Sequence, residues 1–348
     1  MNVRTATRTV GMAAAGAWAL AATWRLTNRL NLRGRTALVT GGSRGLGLAI
    51  ARELGRLGAN VILAARDGAE LESARRDLFS RGVHASTLVC DLTNRHDART
   101  VVERAVAVHG RLDVLINNAG VIQVGPFEHM DTGDFEEAMA VHFWAPLEAI
   151  RTAVPVMRRQ GGGRIVNISS IGGKIGVAHL VPYCASKFAL TGLSAALRAE
   201  LAKDGIVVTT VAPGLMRTGS PFNAWFKGRH RDEFTWFTIA DSMPGISIDA
   251  SCAARQIVSA CRSGDAELVV GWPARLAVVV DAIAPSAVAL GTAVANRLLP
   301  GTTGAAGDRA HSGWQSLSSW APSRLTRLTE RAAATHNQLE RTRVPSKS

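Results

Sequence analysis

Tyr183 is the only tyrosine in the 348 residues, and Lys187 follows it by four positions in Pro182-Tyr183-Cys184-Ala185-Ser186-Lys187. Positions four apart share a helix face, so the Lys187 ammonium can lie beside the Tyr183 phenol and favour its ionised form. A phenol titrates near ~10, and a neighbouring cation moves it toward the range where acid–base catalysis is efficient at neutral pH. By itself this spacing also describes an ordinary aromatic and a solvated lysine on an amphipathic helix. A second chemical signal is the run Thr40-Gly41-Gly42-Ser43-Arg44-Gly45-Leu46-Gly47. It lies between the apolar strand pattern Thr36–Val39 and a helical pattern reaching about Leu57. A strand, a glycine-rich turn and a helix N-terminus form a diphosphate site, because glycine permits close backbone approach and the first amides face the anion.

These groups need elements to hold them. Strand patterns recur at Asn60–Ala65, Ala85–Val89, Val114–Asn117, Arg164–Ser169, Val207–Val211 and Leu268–Val270, with helical patterns between most of them. The alternation predicts an α/β fold with a doubly wound, mostly parallel seven-stranded sheet and helices on both faces. Asp91 and Asn117-Asn118-Ala119-Gly120 fall at C-terminal strand ends, the edge where open α/β sheets bind ligands. The second strand ends in Arg66 where an acid would otherwise bind the ribose hydroxyl of NAD. Arg66, with Arg44 in the glycine run, suits the additional phosphate of NADP; Asp67 is the competing ribose acid, one or two positions late, and is better placed to cap the following helix.

The formal charge of +13 does not describe a nucleic-acid groove. Residues 1–35 hold six arginines and no acid, and residues 301–348 hold six arginines and Lys347 against Asp308, Glu330 and Glu340. The positive ends suit an anionic membrane surface. Val10 to Trp24 form an apolar run flanked by Arg4 and Arg8 and by Arg25, Arg29, Arg33 and Arg35, so residues 1–33 are expected to anchor the chain. If the run spans, the larger arginine cluster after it puts the main domain in the cytosol; a helix packed on a soluble cytoplasmic domain is the competing reading. Cys90, Cys184, Cys252 and Cys261 are scattered, without metal-ligand spacing, and read as reduced core residues.

Together these motifs resemble the short-chain dehydrogenase/reductase family over about residues 34–272. Thr40-Gly41 through Gly45 and Gly47 is similar to its T-G-x-x-x-G-x-G loop, Asn117 to Gly120 to its N-N-A-G motif, and Tyr183 with Lys187 to its Y-x-x-x-K. Ser170 stands thirteen residues before Tyr183, as the family's catalytic serine does, and Pro213-Gly214 with Thr218 is similar to P-G-x-x-x-T. The resemblance implies hydride transfer between NADP(H) and a carbonyl or alcohol carbon. In it Tyr183 exchanges the proton, Ser170 holds the oxygen, and Lys187 depresses the Tyr183 pKa and binds the nicotinamide ribose. The implied cofactor set is Thr40, Gly41, Ser43, Arg44, Gly45, Leu46, Gly47, Arg66, Asp91, Leu92, Asn118, Ala119, Gly120, Tyr183, Lys187, Pro213, Gly214 and Thr218. Ser169 is expected to point to the opposite face of its strand. A homo-oligomer through the helices of His142 and Tyr183 is implied by resemblance only.

The departure is His142, which stands where the family has an asparagine supporting a water relay to the lysine. It reads as a variant catalytic position, and it keeps open an impaired enzyme or a cofactor-binding scaffold of the same fold. The expected lid, residues 219–249, concentrates Phe222, Trp225, Phe226, Phe234, Trp236 and Phe237. This is read either as a greasy pocket for a lipophilic small molecule or as packing of the lid on the domain. Lys227-Gly228-Arg229-His230-Arg231 reads as a solvated basic face. Residues 273–300 form an apolar extension broken by Asp281 and Pro285, expected as two short helices on a membrane or over the cleft. Residues 301–348 read as a basic, flexible tail with an amphipathic segment around Leu325 to Leu339.

Overall fold

The computed structural model describes residues 29–339, so the apolar run at 10–24 lies outside the described residues. The chain alternates β1 (Thr36–Thr40), α1 (Gly45–Arg56), β2 (Asn60–Ala65), α2 (Gly68–Ser80), β3 (Ala85–Val89), α3 (Arg95–His109) and β4 (Val114–Asn117). After the short β5 (Gln123–Val124), α4 (Thr132–Met139) runs through a π-helical turn at Ala140–Trp144 into α5 (Ala145–Arg159). Then come β6 (Gly163–Ile168), α6 (Val181–Leu201) and β7 (Ile206–Pro213). After β8 (Met216–Arg217), the stretch 219–249 expected as a lid holds α7 (Ser220–Asn223), β9 (Trp225–Phe226), α8 (His230–Ser242) and β10 (Ile248–Asp249). It is followed by α9 (Ala250–Ser263), β11 (Glu267–Val270), α10 (Trp272–Ile283), α11 (Pro285–Asn296), β12 (His311–Ser312) and α12 (Arg327–Thr335).

The central sheet has the order β11-β7-β6-β4-β1-β2-β3, and every pairing in it is parallel. Both faces are covered, which is why the middle strands are continuous apolar runs rather than alternating ones. One core joins the sheet to α1, α2 and α9 through Leu48, Leu54, Leu71, Leu78 and Ile257. The other joins it to α3 and α5 through Val101, Val102, Ile150 and Met157. Strand order reverses between β1 and β4, and this opens a crevice at the carboxyl edge. Tyr183, Ser170 and the glycine run all follow strand ends at that edge.

A third cluster holds the lid. Phe222, Phe226, Phe234 and Phe237 are buried together with Val124, Ala321 and Ala333. Phe226 meets Phe234 edge to face with centroids 5.5 Å apart, and Phe222 stacks on Trp314 at 4.9 Å. Of the two readings of the lid aromatics, the structure selects packing, because these rings fill one another's edges. Lys227 is likewise not solvated: it is buried and paired with Asp131 and Asp134.

The segment expected to be a flexible tail is folded as far as residue 339. β12 pairs antiparallel with β9, His129 bonds Asp308 at 2.7 Å and accepts from the Thr303 amide at 3.0 Å. The Ser242 hydroxyl donates to that of Thr329 at 2.7 Å. Composition suggested disorder because the segment is poor in large apolar groups; long-range hydrogen bonds and the aromatic Trp314 supply what composition lacks.

Candidate active site

Lys187 lies one turn after Tyr183 on α6, with its Nζ 5.6 Å from the centre of the phenol ring. The ammonium does not bond the phenol oxygen. It donates to the Ile168 carbonyl at 2.8 Å, and burial lowers its pKa to about 7. Burial pushes the Tyr183 phenol up to about 12, outweighing the lowering effect of the Ser170 hydroxyl, while Cys184 and Asp241 raise it further. The expected depression of the Tyr183 pKa by Lys187 is therefore absent from this geometry: desolvation of both groups exceeds their mutual attraction. Ser169 faces away as expected, with its hydroxyl donating to the Lys187 carbonyl at 3.0 Å.

His142 sits in the π-helical turn, fully buried. Its Nε2 accepts from the Val121 amide at 3.1 Å, so its proton is on Nδ1, which faces the Ser186 hydroxyl at 2.8 Å. Ser186 in turn donates to the Tyr183 carbonyl at 2.8 Å. Burial, followed by the nearby Lys187 charge, holds the imidazole well below its usual pKa, and it is neutral. Its ring packs edge-on against Tyr183 with centroids 5.4 Å apart. Both His142 nitrogens are thus hydrogen-bonded within the fold, one to the Val121 amide and one to the Ser186 hydroxyl on α6.

The glycine run wraps the end of β1. Gly41 and Gly45 have φ of +63° and +58°, the left-handed region that favours glycine. A Cβ on Gly47 would collide with the Gly41 carbonyl. The Thr40 hydroxyl accepts from the Asn118 and Ala119 amides at 3.0 and 3.2 Å, and Asn118 Nδ2 donates to the Thr40 carbonyl at 3.0 Å. Gly120 lies against His142, 3.1 Å from where its Cβ would stand. The sheet edge thus ties Thr40, Asn118, Ala119 and Gly120 into one floor, with Leu46 and Gly47 opening α1 above it.

Just past the end of β2, Arg66 is exposed and makes no side-chain hydrogen bond or ion pair among the described residues. Arg44 is not free: it pairs with Glu70 at 2.7 Å, and the Ser43 hydroxyl donates to the same carboxylate at 3.0 Å. Asp67 caps α2 by accepting from the Ala69 and Glu70 amides at 2.8 and 3.0 Å. Asp91 is exposed and accepts from Thr93, beside the buried Leu92. On the facing wall Pro213 and Thr218 are buried, Gly214 donates to the Val270 carbonyl at 2.9 Å, and Thr218 bonds Ser220 at 2.7 Å.

Two features had no motif to announce them. Asp241 lies on the inner face of α8 with Phe234 and Phe237. It is buried, has no partner among the described residues, and burial pushes its carboxyl up to about 8. Helical spacing from Phe234 and Phe237 was the available signal. The other feature is the polar stretch His336-Asn337-Gln338, which lies on the glycine run itself; Gly45 donates its amide to the His336 carbonyl at 2.9 Å. A cavity of about 680 Å³ between Trp236, Met243, Leu298 and Trp320 lies on the outer side of α8, and none of the catalytic candidates lines it.

A serine, a tyrosine and a lysine at the carboxyl edge of a parallel sheet, facing a glycine-rich phosphate loop, define a nucleotide-dependent oxidoreductase site. The short chain dehydrogenase family model matches residues 35–224, and the chain belongs to that family. It is 36% identical over 187 residues to an uncharacterised oxidoreductase of Bacillus subtilis, covering 54% of this chain and 73% of that one. It is 40% identical over 193 residues to a putative ketoacyl reductase of granaticin polyketide synthase from Streptomyces violaceoruber, covering 52% and 68%. Among solved structures, a metagenomic short-chain oxidoreductase in complex with NADP superposes with a TM-score of 0.57 at 33% identity, covering 70% of this chain and 99% of that one. L-Sorbose reductase from Gluconobacter frateurii, complexed with NADPH and L-sorbose, superposes with a TM-score of 0.63 at 27% identity, covering 70% and 97%.

Proposed function

We propose that the protein is an NADP(H)-dependent oxidoreductase that interconverts a carbonyl and an alcohol on a predominantly apolar substrate. The observation that carries this reading is the placement of Ser170, Tyr183 and Lys187 after strand ends at the carboxyl edge of the sheet, as the glycine run is, with Lys187 Nζ 5.6 Å from the phenol ring. Those residues fit the cofactor. The left-handed Gly45 leaves room for a diphosphate, Arg66 is available to a 2′-phosphate, and the Arg44–Glu70 pair is partly exposed, hence weak enough to exchange for a phosphate partner. When bound, NADP(H) supplies or accepts the hydride.

In reduction, Tyr183 gives its proton to the carbonyl oxygen while Ser170 holds that oxygen by a hydrogen bond; oxidation runs in reverse. Lys187 stands one turn behind the phenol with its Nζ on the Ile168 carbonyl, placed to bind the nicotinamide ribose, and His142 keeps α6 in register. Tyr183 packs against an apolar cluster that includes Leu180 and Phe237, and this supports a lipophilic substrate. Asp241 suits a hydroxyl or amine carried by that substrate.

The exposed apolar residues of α10 and α11, including Leu276, Ile283 and Leu290, support contact with a membrane surface. No helix among the described residues is long and apolar enough to cross a membrane. The test is NADPH oxidation with a panel of aldehydes and ketones. Tyr183→Phe is expected to lower kcat by about 10²- to 10⁴-fold with NADPH binding retained. Unchanged turnover in that variant would overturn the mechanism.

A further inference from the structure

The last described residues stand in the cofactor cleft. The His336 carbonyl accepts from the Gly45 amide at 2.9 Å, and Gln338 Oε1 accepts from the Gly219 amide at 2.7 Å. A Cβ on Gly45 would meet the Gln338 side-chain amide at 3.1 to 3.3 Å. In a strand–turn–helix phosphate loop this glycine is small so that the backbone can approach the diphosphate. The space it leaves is filled here by Gln338. Two uncharged oxygens thus occupy the Gly45 amide at the head of α1 and the Gly219 amide.

The stretch is fastened from several sides. Arg52 donates to the Thr335 carbonyl at 2.9 Å and reaches His336 Nδ1 at 3.0 Å. Asn337 Nδ2 donates to the Ser43 and Glu70 carbonyls at 3.0 and 3.3 Å, and Ser73 donates to Asn337 Oδ1 at 3.2 Å. Asn337 turns the chain with φ of +57°, a conformation that asparagine tolerates better than most residues. His336 and Gln338 are both buried. The anchors lie on α1, α2 and the glycine run, the same elements that would surround the adenosine half of a dinucleotide.

We infer that His336-Asn337-Gln338 is a built-in competitor of the cofactor: it holds the diphosphate cradle closed, and NADP(H) binds only when it leaves. This rests on the cofactor reading above. The oxygen of Gln338 and a diphosphate cannot occupy the space over Gly45 together, so the apparent affinity for cofactor falls by the fraction of molecules with the cradle open. A substrate, a membrane surface or a partner that draws the C-terminal segment away would raise cofactor affinity without touching the glycine run.

The experiment is NADPH titration of the full chain and of Gln338→Ala and Asn337→Ala, by cofactor fluorescence, with hydrogen exchange on the same samples. Both variants are expected to bind NADPH about tenfold more tightly, the effect of losing one or two hydrogen bonds that only the closed form makes. NADPH is expected to speed amide exchange across 335–339 in the wild type. Equal or weaker binding in both variants, with unchanged thermal stability, would show a strut or a clasp and overturn the proposal. So would NADPH protecting 335–339. If no chain binds NADPH or NADH, the cofactor reading falls and the competitor with it; if all bind equally, the competitor alone falls.

Discussion

Two stretches near the C-terminus reverse the usual relation between polarity and burial. From Trp272 to Asn296 the chain is apolar, yet Ile283 and Leu290 are 79% and 68% exposed. From 326 to 338 it is polar, yet Thr329 and His336 are 0% and 1% exposed. The difference lies in what each finds to pack on. The buried polar groups of the second stretch have partners: Thr326 donates to Glu330 at 2.6 Å, Thr329 accepts from Ser242, Arg52 reaches His336 and Gln338 accepts from the Gly219 amide. A buried polar group that is hydrogen-bonded is tolerated, and removing its partner is what costs. The apolar hairpin α10–α11 has its own turn contacts and little of the domain against it, and exposed apolar surface of this extent marks a contact surface.

The polar segment rests on the aromatic core around Phe226. Phe226 is fully buried and pairs through its backbone with His311. Phe226→Ala is expected to destabilise the protein by about 3–5 kcal/mol, read as a fall in the urea midpoint at unchanged slope. A cost under ~1 kcal/mol would mean that lid and tail fold independently of each other.

The next effect is pH-dependent and belongs to Asp241. Its folded pKa of about 8 lies above the unfolded value near ~3.9, so the folded state binds more protons between those limits. The sign is that stability from this group is fully present below about pH 4 and is lost as pH rises through about 8. Asp241→Asn is expected to raise Tm at pH 8 and leave it nearly unchanged at pH 4. Lys187 acts in the opposite sense: its pKa is lowered to about 7, so its contribution improves from about pH 7 toward ~10. Equal Tm values for the two proteins at pH 8 would remove Asp241 from the set of buried, unpartnered groups.

The smallest effect on stability should come from the hairpin. Ile283→Ser together with Leu290→Ser is expected to change ΔG by less than about 0.5 kcal/mol per site, as surface substitutions do. The same pair should weaken co-sedimentation with anionic lipid vesicles. A cost comparable to that of Phe226→Ala would show that the hairpin is packed after all, and the contrast between the two stretches would collapse.

Much of the sheet was legible in the sequence, because continuous apolar runs separated by amphipathic helices encode a parallel sheet covered on both faces. Asp67 as a helix cap and Ser169 as the serine facing away were also legible, since both follow from one-residue geometry. The lid was not: six aromatics within twenty residues cannot say whether they line a pocket or fill it, and only their mutual contacts decide. Lys227 looked solvated in a basic run because its partners, Asp131 and Asp134, lie about ninety positions away in sequence. Composition read the tail as flexible, and hydrogen bonds to distant residues hold it.

By itself the sequence determined what depends on short-range geometry: the glycine turn at Thr40–Gly47, the one-turn spacing of Tyr183 and Lys187, and the strands that bring them to one edge. Those features follow from backbone sterics and helical or strand periodicity, which operate within a few residues. Tertiary structure decided the charge state and the access of the site. Desolvation separates the Tyr183 and Lys187 pKa values, Lys187 is tied to Ile168, and His142 is hydrogen-bonded to Val121 and Ser186. Above all, the contact between Arg52 and His336, 284 positions apart, helps lay Gln338 over Gly45. Burial and long-range partners are properties of the folded chain as a whole, and no local pattern encodes them.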